Sequence, residues 1–285
     1  MKNDMRQIAV ISGKGGTGKT VLTASFAALA KNACFVDCDV DAADLHLLLK
    51  PRIRERHQFI SGQTAKIDKA VCTNCGQCMS ICRFGAIRED YEVDPLSCEG
   101  CSICSLICPV DAIIMEENLT GEWYVSETRY GPFVHAKLGI AEENSGKLVS
   151  KIRQAAKHIA ERENLNYIII DGPPGIGCPV IASLSGVDFA LIVTEPTLSG
   201  IYDMERVADV ARHFDIPTKV VINKYDINLK NSASIEKICQ KRTIEVLARL
   251  PFSEIVVRSM VNGMPLVEYC SDQIAKEIIA LWNKI

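Results

Sequence analysis

No apolar run in this 285-residue chain approaches the roughly 20 residues that a bilayer-spanning helix needs. Its charge is close to balanced, 32 Lys and Arg against 35 Asp and Glu, for a net charge of -3. That leaves no global electrostatic case for DNA or RNA and argues against a nucleic-acid partner. The start, Met1-Lys2-Asn3-Asp4-Met5-Arg6, leads straight into a strand-like run without an export-signal pattern, so a cytoplasmic location is expected. The five histidines, His46, His57, His135, His158 and His213, show no ligand spacing. The length suits one large domain, or one domain plus a small insert, with ample residues for a buried core.

Cysteine is what the chain has in excess, with 13 residues. An extracellular chain would spend them on disulfides, but eight fall in two C-x-x-C-x-x-C-x-x-x-C runs, Cys72, Cys75, Cys78, Cys82 and Cys98, Cys101, Cys104, Cys108. This spacing places thiolates around an iron–sulfur cubane. Zinc competes, because C-x-x-C pairs also suit tetrahedral sites, although the tandem repetition favours iron and sulfur. The flanks repeat as well: Phe84-Gly85-Ala86-Ile87 is echoed by Val110-Asp111-Ala112-Ile113. A repeated unit between strands of another sheet reads as a separate small domain, residues 67–117, whose core would be the clusters themselves. The other cysteines, Cys34, Cys38, Cys178, Cys239 and Cys270, read as small buried hydrophobes.

On either side, residues 1–66 and 118–285 alternate short apolar runs with helical segments. Gln7-Ile8-Ala9-Val10-Ile11, Cys34-Phe35-Val36-Asp37, Tyr167-Ile168-Ile169-Ile170-Asp171, Phe189-Ala190-Leu191-Ile192-Val193 and Lys219-Val220-Val221-Ile222-Asn223 are apolar nearly throughout. Strands of that kind belong to a mostly parallel sheet covered on both faces, which makes the fold class α/β and doubly wound. Weaker signals, Trp123, Tyr124, Tyr130 and Phe133 among glycines, suggest further strands between Leu119 and Leu138.

The first strand runs into Gly13-Lys14-Gly15-Gly16-Thr17-Gly18-Lys19-Thr20 and then a helix from Val21. Glycines let backbone amides turn toward an anion, the helix adds its positive end, Lys19 can reach the terminal phosphates and the Thr20 hydroxyl can bind Mg²⁺.

The extra lysine, Lys14, makes this loop resemble the deviant Walker A, SIMIBI-class family that includes MinD, ParA, the nitrogenase iron protein and the Mrp-type cluster carriers. The resemblance implies an ATP-dependent homodimer in which Lys14 reaches the partner subunit's nucleotide. Asp37-Cys38-Asp39-Val40-Asp41 resembles the switch I segment, which makes Asp39 the candidate for orienting or deprotonating water, with Lys14 and Lys19 assisting. Asp37, Thr20 and Asp171, the last within the switch II-like Asp171-Gly172-Pro173-Pro174-Gly175, are implied Mg²⁺ residues. Asn223 resembles the family's base-contacting asparagine, although Asn223-Lys224-Tyr225-Asp226 also spells a guanine-reading motif; Lys14 favours ATP over GTP. Pro251-Phe252 resembles the late loop that packs on the base.

The insert resembles a small α+β bacterial ferredoxin with two clusters, which implies that Cys72, Cys75, Cys78 and Cys108 hold one [4Fe–4S] cluster and Cys98, Cys101, Cys104 and Cys82 the other. One departure stands out: proline follows Cys108, whereas Arg83 follows Cys82. Whole-chain resemblance is therefore to a MinD/ParA-like P-loop ATPase carrying an inserted ferredoxin domain, with ATP, Mg²⁺ and two clusters as cofactors. It implies nucleotide-gated electron transfer to a redox partner. The alternatives are assembly or delivery of iron–sulfur or another metallocofactor, weakened because no C-x-x-C follows Cys108, and a MinD- or ParA-like spatial organiser. For the last, the apolar stripe Ile274, Ile278, Leu281, Trp282 and Ile285 is a candidate amphipathic helix, but such a stripe more often packs on a core, so stable membrane association is not expected. Glu142-Glu143-Asn144-Ser145-Gly146-Lys147 reads as a cap and turn or a partner surface.

Overall fold

A computed structural model describes residues 5–139 and 145–285. Met1–Asp4, and Glu142, Glu143 and Asn144 of the cap-and-turn reading, lie outside the described residues.

The elements run β1 (Arg6–Ser12), α1 (Lys19–Leu29), β2 (Ala33–Asp37), α2 (Leu45–Leu49), β3 (Arg52–Ile67), α3 (Gln77–Ile81), α4 (Ile103–Leu106), β4 (Ile113–Thr128) and β5 (Gly131–Leu138). They continue with α5 (Ser145–Arg162), β6 (Tyr167–Pro174), α6 (Cys178–Leu184), β7 (Phe189–Thr194), α7 (Leu198–His213), β8 (Thr218–Asn223), α8 (Leu229–Lys241), β9 (Glu245–Leu250), α9 (Ile255–Val261), α10 (Leu266–Tyr269) and α11 (Gln273–Trp282).

One sheet takes the order β3-β4-β5-β2-β6-β1-β7-β8-β9. From β5 to β9 every neighbouring pair is parallel, as the uniformly apolar strands require once helices cover both faces. Ile8, Ala9, Val10 and Ile11 have no exposed surface, and the same holds for Phe35, Val36, Ile169 and Ile170. The chain leaves β1 toward β2 on one side and later fills β7, β8 and β9 on the other, so the winding direction reverses beside β1. Ligands of open α/β sheets bind at that reversal, outside the carboxyl ends of the strands, where the glycine loop lies.

Two compact units divide the chain. The first comprises the chain up to His57, Trp123–Lys137 and Ser145–Ile285. Its core includes Phe26, Phe35, Phe133 and Leu191, and extends to Ile274, Ile278 and Leu281 of α11. Trp282 packs its ring on Phe26 at 5.2 Å and on Tyr167 at 5.5 Å. The apolar stripe of the C-terminal helix is therefore core, and among the described residues no helix is long and apolar enough to cross a membrane.

The second unit comprises Gln58–Glu122 with the segment from Leu138, wider than the 67–117 of the sequence reading. The width comes from β3 and β4, each 16 residues long, which change units part-way. Within it the sequence repeat becomes a structural one. α3 follows Gly76 and α4 follows Ser102, both in the left-handed conformation directly after the second cysteine of a run. Ala86 and Ala112 are each 1% exposed, and Ile87 and Ile113 are 9% and 7%. Among the described residues Ala65, Cys78, Ile87 and Ile113 form one buried apolar cluster, with Cys82, Cys98, Cys104 and Cys108 packed against it. For a unit of this size that is a thin apolar core.

Candidate functional site

The glycine loop is shaped by its own backbone. Gly18, the residue before α1, has φ +96°, and a Cβ there would stand 2.4 Å from Asn223 Nδ2. Glycine is thus required twice, for the left-handed turn and for the close approach. Asn223, at the end of β8, uses that same Nδ2 to donate to the Thr17 carbonyl at 2.7 Å. Thr17 is 1% exposed and its Oγ1 has no partner. A buried hydroxyl left unpaired calls for a guest, and in a loop of amides at a helix N-terminus a phosphate is the fitting one.

Two aspartates meet beside the loop because their strands pair in register: Asp37 of β2 stands opposite Asp171 of β6. Both are buried. Asp37 accepts the Asp39 and Leu45 amides, each at 3.1 Å, and Asp171 accepts the Thr23 hydroxyl at 3.0 Å. Burial, with the Asp171 charge adding to it, pushes the Asp37 carboxyl well above its ordinary value. Burial likewise pushes Asp171 up to about 6, opposed by the Lys19 ammonium and by the Thr20 and Thr23 hydroxyls. Half-buried Asp39 is also raised by burial, with Lys19 again opposing. Carboxylates held together against their own repulsion suit a divalent cation, and Mg²⁺ is commonly held by one or two carboxylates plus substrate phosphates. Asp37, Asp171 and Thr20 would hold it. Gly175 of the switch II-like turn donates to the Ser12 carbonyl at 2.9 Å, tying that turn to the end of β1.

Lys14 does not project freely. Its ammonium lies 2.6 Å from Glu195 and donates to Thr197 Oγ1 and Ser199 Oγ, both at 3.2 Å. Lys224 reaches the other Glu195 oxygen at 2.9 Å and the Gly16 carbonyl at 3.2 Å. Burial pushes the Glu195 carboxyl up, but the two lysines outweigh it and hold the group below its usual range. Glu195 and Thr23 were not singled out from the sequence, and Lys224 was noted only within the guanine-reading pattern Asn223-Lys224-Tyr225-Asp226. The available signal was position, since Glu195 and Lys224 follow directly on the carboxyl ends of β7 and β8, where α/β sheets bind ligands. Asp226 accepts the Phe252 amide at 2.7 Å, so the late loop is fastened next to Asn223.

In the second unit the eight cysteines sort into two cavities. Cys72, Cys75, Cys78 and Cys108 line one of about 10 Å³. Cys82, Cys98, Cys101 and Cys104 line one of about 370 Å³. The fourth cysteine of each run stands with the first three of the other. Close packing of the 98–101 loop shows at Gly100, where a Cβ would lie 2.2 Å from the Gln63 carbonyl. Among the described residues no three His, Cys, Asp or Glu converge as ligands of a single ion. Two sets of four thiolates, each ranged around its own cavity, are a donor set that a polynuclear iron–sulfur group fits. Cys34 and Cys38 are pushed by burial to about 12 and Cys239 to about 11, as inert interior thiols; Cys178 is exposed.

Comparison with known proteins agrees with the sheet and the loop. The chain is 32% identical over 283 residues to an uncharacterized protein of Methanocaldococcus jannaschii, covering 98% of this chain and 96% of that one. It is 28% identical over 123 residues to the iron-sulfur cluster carrier protein of Rickettsia conorii, covering 42% of this chain and 38% of the carrier. The fold matches the septum site-determining protein MinD of Pyrococcus horikoshii, solved with Mg-ADP, at a TM-score of 0.61 and 18% identity over 98% of this chain and 95% of that one. The family model of the CobQ/CobB/MinD/ParA nucleotide binding domain matches residues 8–266. With the phosphate loop, the paired aspartates and the parallel sheet in place, the chain belongs to the CobQ/CobB/MinD/ParA family and is a P-loop nucleotide-binding protein of the MinD/ParA type.

Proposed function

We propose that this chain is a Mg²⁺-dependent ATPase whose nucleotide state gates electron transfer through two [4Fe–4S] clusters, one at each cysteine cavity, in a ferredoxin-like insert centred on residues 67–117. The observation that carries the reading is the sorting of eight cysteines into two cavities within a chain that also holds a phosphate loop. Lys19 and the amides of Gly13–Thr20 bind phosphate, Thr20, Asp37 and Asp171 hold Mg²⁺, and Asn223 with the Phe252 loop faces the base. Asp39 orients the attacking water, and its burial-raised affinity for a proton suits it to take one. Lys14, once released from Glu195, reaches across a homodimer. When bound, each cluster supplies a one-electron couple.

The test is anaerobic preparation of the full chain, with iron and sulfide measured and reduction followed spectroscopically with and without ATP. ATP is expected to change the rate of electron delivery to an acceptor, and Asp39→Ala to bind ATP while losing about 10²–10⁴-fold in turnover. Identical kinetics in both nucleotide states would remove the gating.

A second reading, delivery of iron–sulfur units to acceptor proteins, is favoured by the partial likeness to the Rickettsia carrier. It predicts nucleotide-dependent loss of iron to an apo-acceptor, whereas electron gating predicts iron that stays.

A further inference from the structure

The two cysteine cavities differ in charge and in access to water. Within the repeat, Cys82-Arg83-Phe84-Gly85-Ala86-Ile87 corresponds to Cys108-Pro109-Val110-Asp111-Ala112-Ile113. Ala86 and Ala112, and Ile87 and Ile113, are buried alike, so the two backbones match and the differences fall on the exchanged side chains. Arg83 replaces Pro109, and Gly85 replaces Asp111. Arg83 lines the cavity of Cys82, Cys98, Cys101 and Cys104. Glu99 lines the same cavity and offsets that charge, whereas the other triplet, Cys72 to Cys78, carries no charged residue and Asp111 follows its fourth cysteine. Among the residues lining the two cavities, Arg83 and Glu99 are the charged ones, both at the Cys82 site; the Cys108 lining holds neither cation nor carboxylate, and exposed Asp111 lies outside it.

Hydration acts in the same direction. The Cys82 cavity holds about 370 Å³ and is flanked by the exposed side chains of Ile81, Phe84 and Ile103. Its counterpart holds about 10 Å³, Cys78 within it is buried, and Tyr91, also in its lining, ties down the preceding loop by donating to the Asn74 carbonyl at 2.7 Å. Adding an electron makes a thiolate-ligated cluster more negative, so water and a nearby cation favour the reduced form, and a tighter setting without a cation favours it less. One contact works the other way: the Ala112 amide donates to Cys108 Sγ at 3.3 Å. That is a single neutral donor against the Arg83 guanidinium and the wider cavity.

Resting on the cluster reading above, we propose that the Cys82, Cys98, Cys101 and Cys104 site is the higher-potential of the two, that Arg83 sets this difference, and that an electron entering the protein comes to rest there. Each site takes up one electron, supplied in the test by dithionite. The experiment is an anaerobic redox titration of the full chain monitored by electron paramagnetic resonance, after iron and sulfide are quantified. Two separated one-electron steps are expected. Arg83→Gln, at an exposed position, should lower the upper step by about tenfold in the reduced-to-oxidised ratio, about 59 mV for one electron, and leave the lower step in place. Pro109→Arg should raise the lower step. Coincident steps in the parent protein, or an Arg83→Gln titration with the upper step unmoved, would overturn the assignment while leaving the clusters intact. Fewer than roughly eight irons per chain would instead overturn the cluster reading itself.

Discussion

The two units hold their guests by opposite strategies. The phosphate loop follows a strand whose Ile8, Ala9, Val10 and Ile11 have no exposed surface, and its turn is fixed by Gly18, by the Asn223 contact to Thr17 and by the Glu195 bridge between two lysines. The cysteine unit has four buried central residues and two helices of five and four residues. One site is built before anything binds; the other lacks the apolar mass to be built that way. Much of the stability of the second unit should therefore come from what the cysteines hold, as in small metal-dependent domains generally.

Removing iron should break the comparison most severely. Chelation under denaturant-free conditions is expected to unfold the cysteine unit, read as lost amide protection over Gln58–Glu122, while nucleotide affinity at the first unit stays within about twofold. Equal loss of protection in both units would show that they are not built differently. Next in size is Gly18→Ala, which forces a left-handed alanine at roughly 1–2 kcal/mol and drives its methyl into Asn223. Nucleotide binding measured by calorimetry should fall at least about tenfold, with iron content unchanged.

A pH dependence sharpens the contrast further. Asp171 has a pKa of about 6 against an ordinary 3.8, so the folded chain holds an extra proton between those values. The stability this gives is complete below about 4 and is lost as pH rises through 6. Binding Mg²⁺ requires the ionised form, so the increase in melting temperature on adding Mg²⁺ with ADP should be larger at pH 7.5 than at pH 5, and Asp171→Asn should flatten the difference. The smallest effect concerns Glu195→Gln, which weakens the grip on Lys14. Nucleotide-dependent dimerisation, followed by light scattering, should strengthen a few-fold, within about 1 kcal/mol, because half-exposed lysines gain little from such a pair.

The first unit was largely legible in the sequence because its strands are buried on both faces and so read as unbroken apolar runs. The glycine loop, Asp37 and Asp171 could be placed at strand ends for the same reason. Strands β3 and β4 were harder: Arg52, Arg54, Glu55 and Arg56 in β3, and Glu116 and Glu117 in β4, are exposed and leave no apolar period to read. The compact unit Gln58–Glu122 extends past residues 67–117 along these two strands. Glu195 gave no local signal because its partner Lys14 lies 181 positions away, a pairing that only the parallel sheet creates. The terminal stripe of α11 favours core packing on its pattern, and Trp282 against Phe26 and Tyr167 agrees with that.

The deep interior placement of Cys34, Cys38 and Cys239 has a practical corollary. At pH 8 a thiol titrating near 12 is ionised in about one molecule in ten thousand and one near 11 in about one in a thousand, so these three are nearly silent to alkylating reagents while exposed Cys178 is open to them. With half-buried Cys270 assigned by peptide mapping, counting alkylated sulfurs by mass in the native chain becomes a gauge of how many of the eight cavity cysteines are engaged.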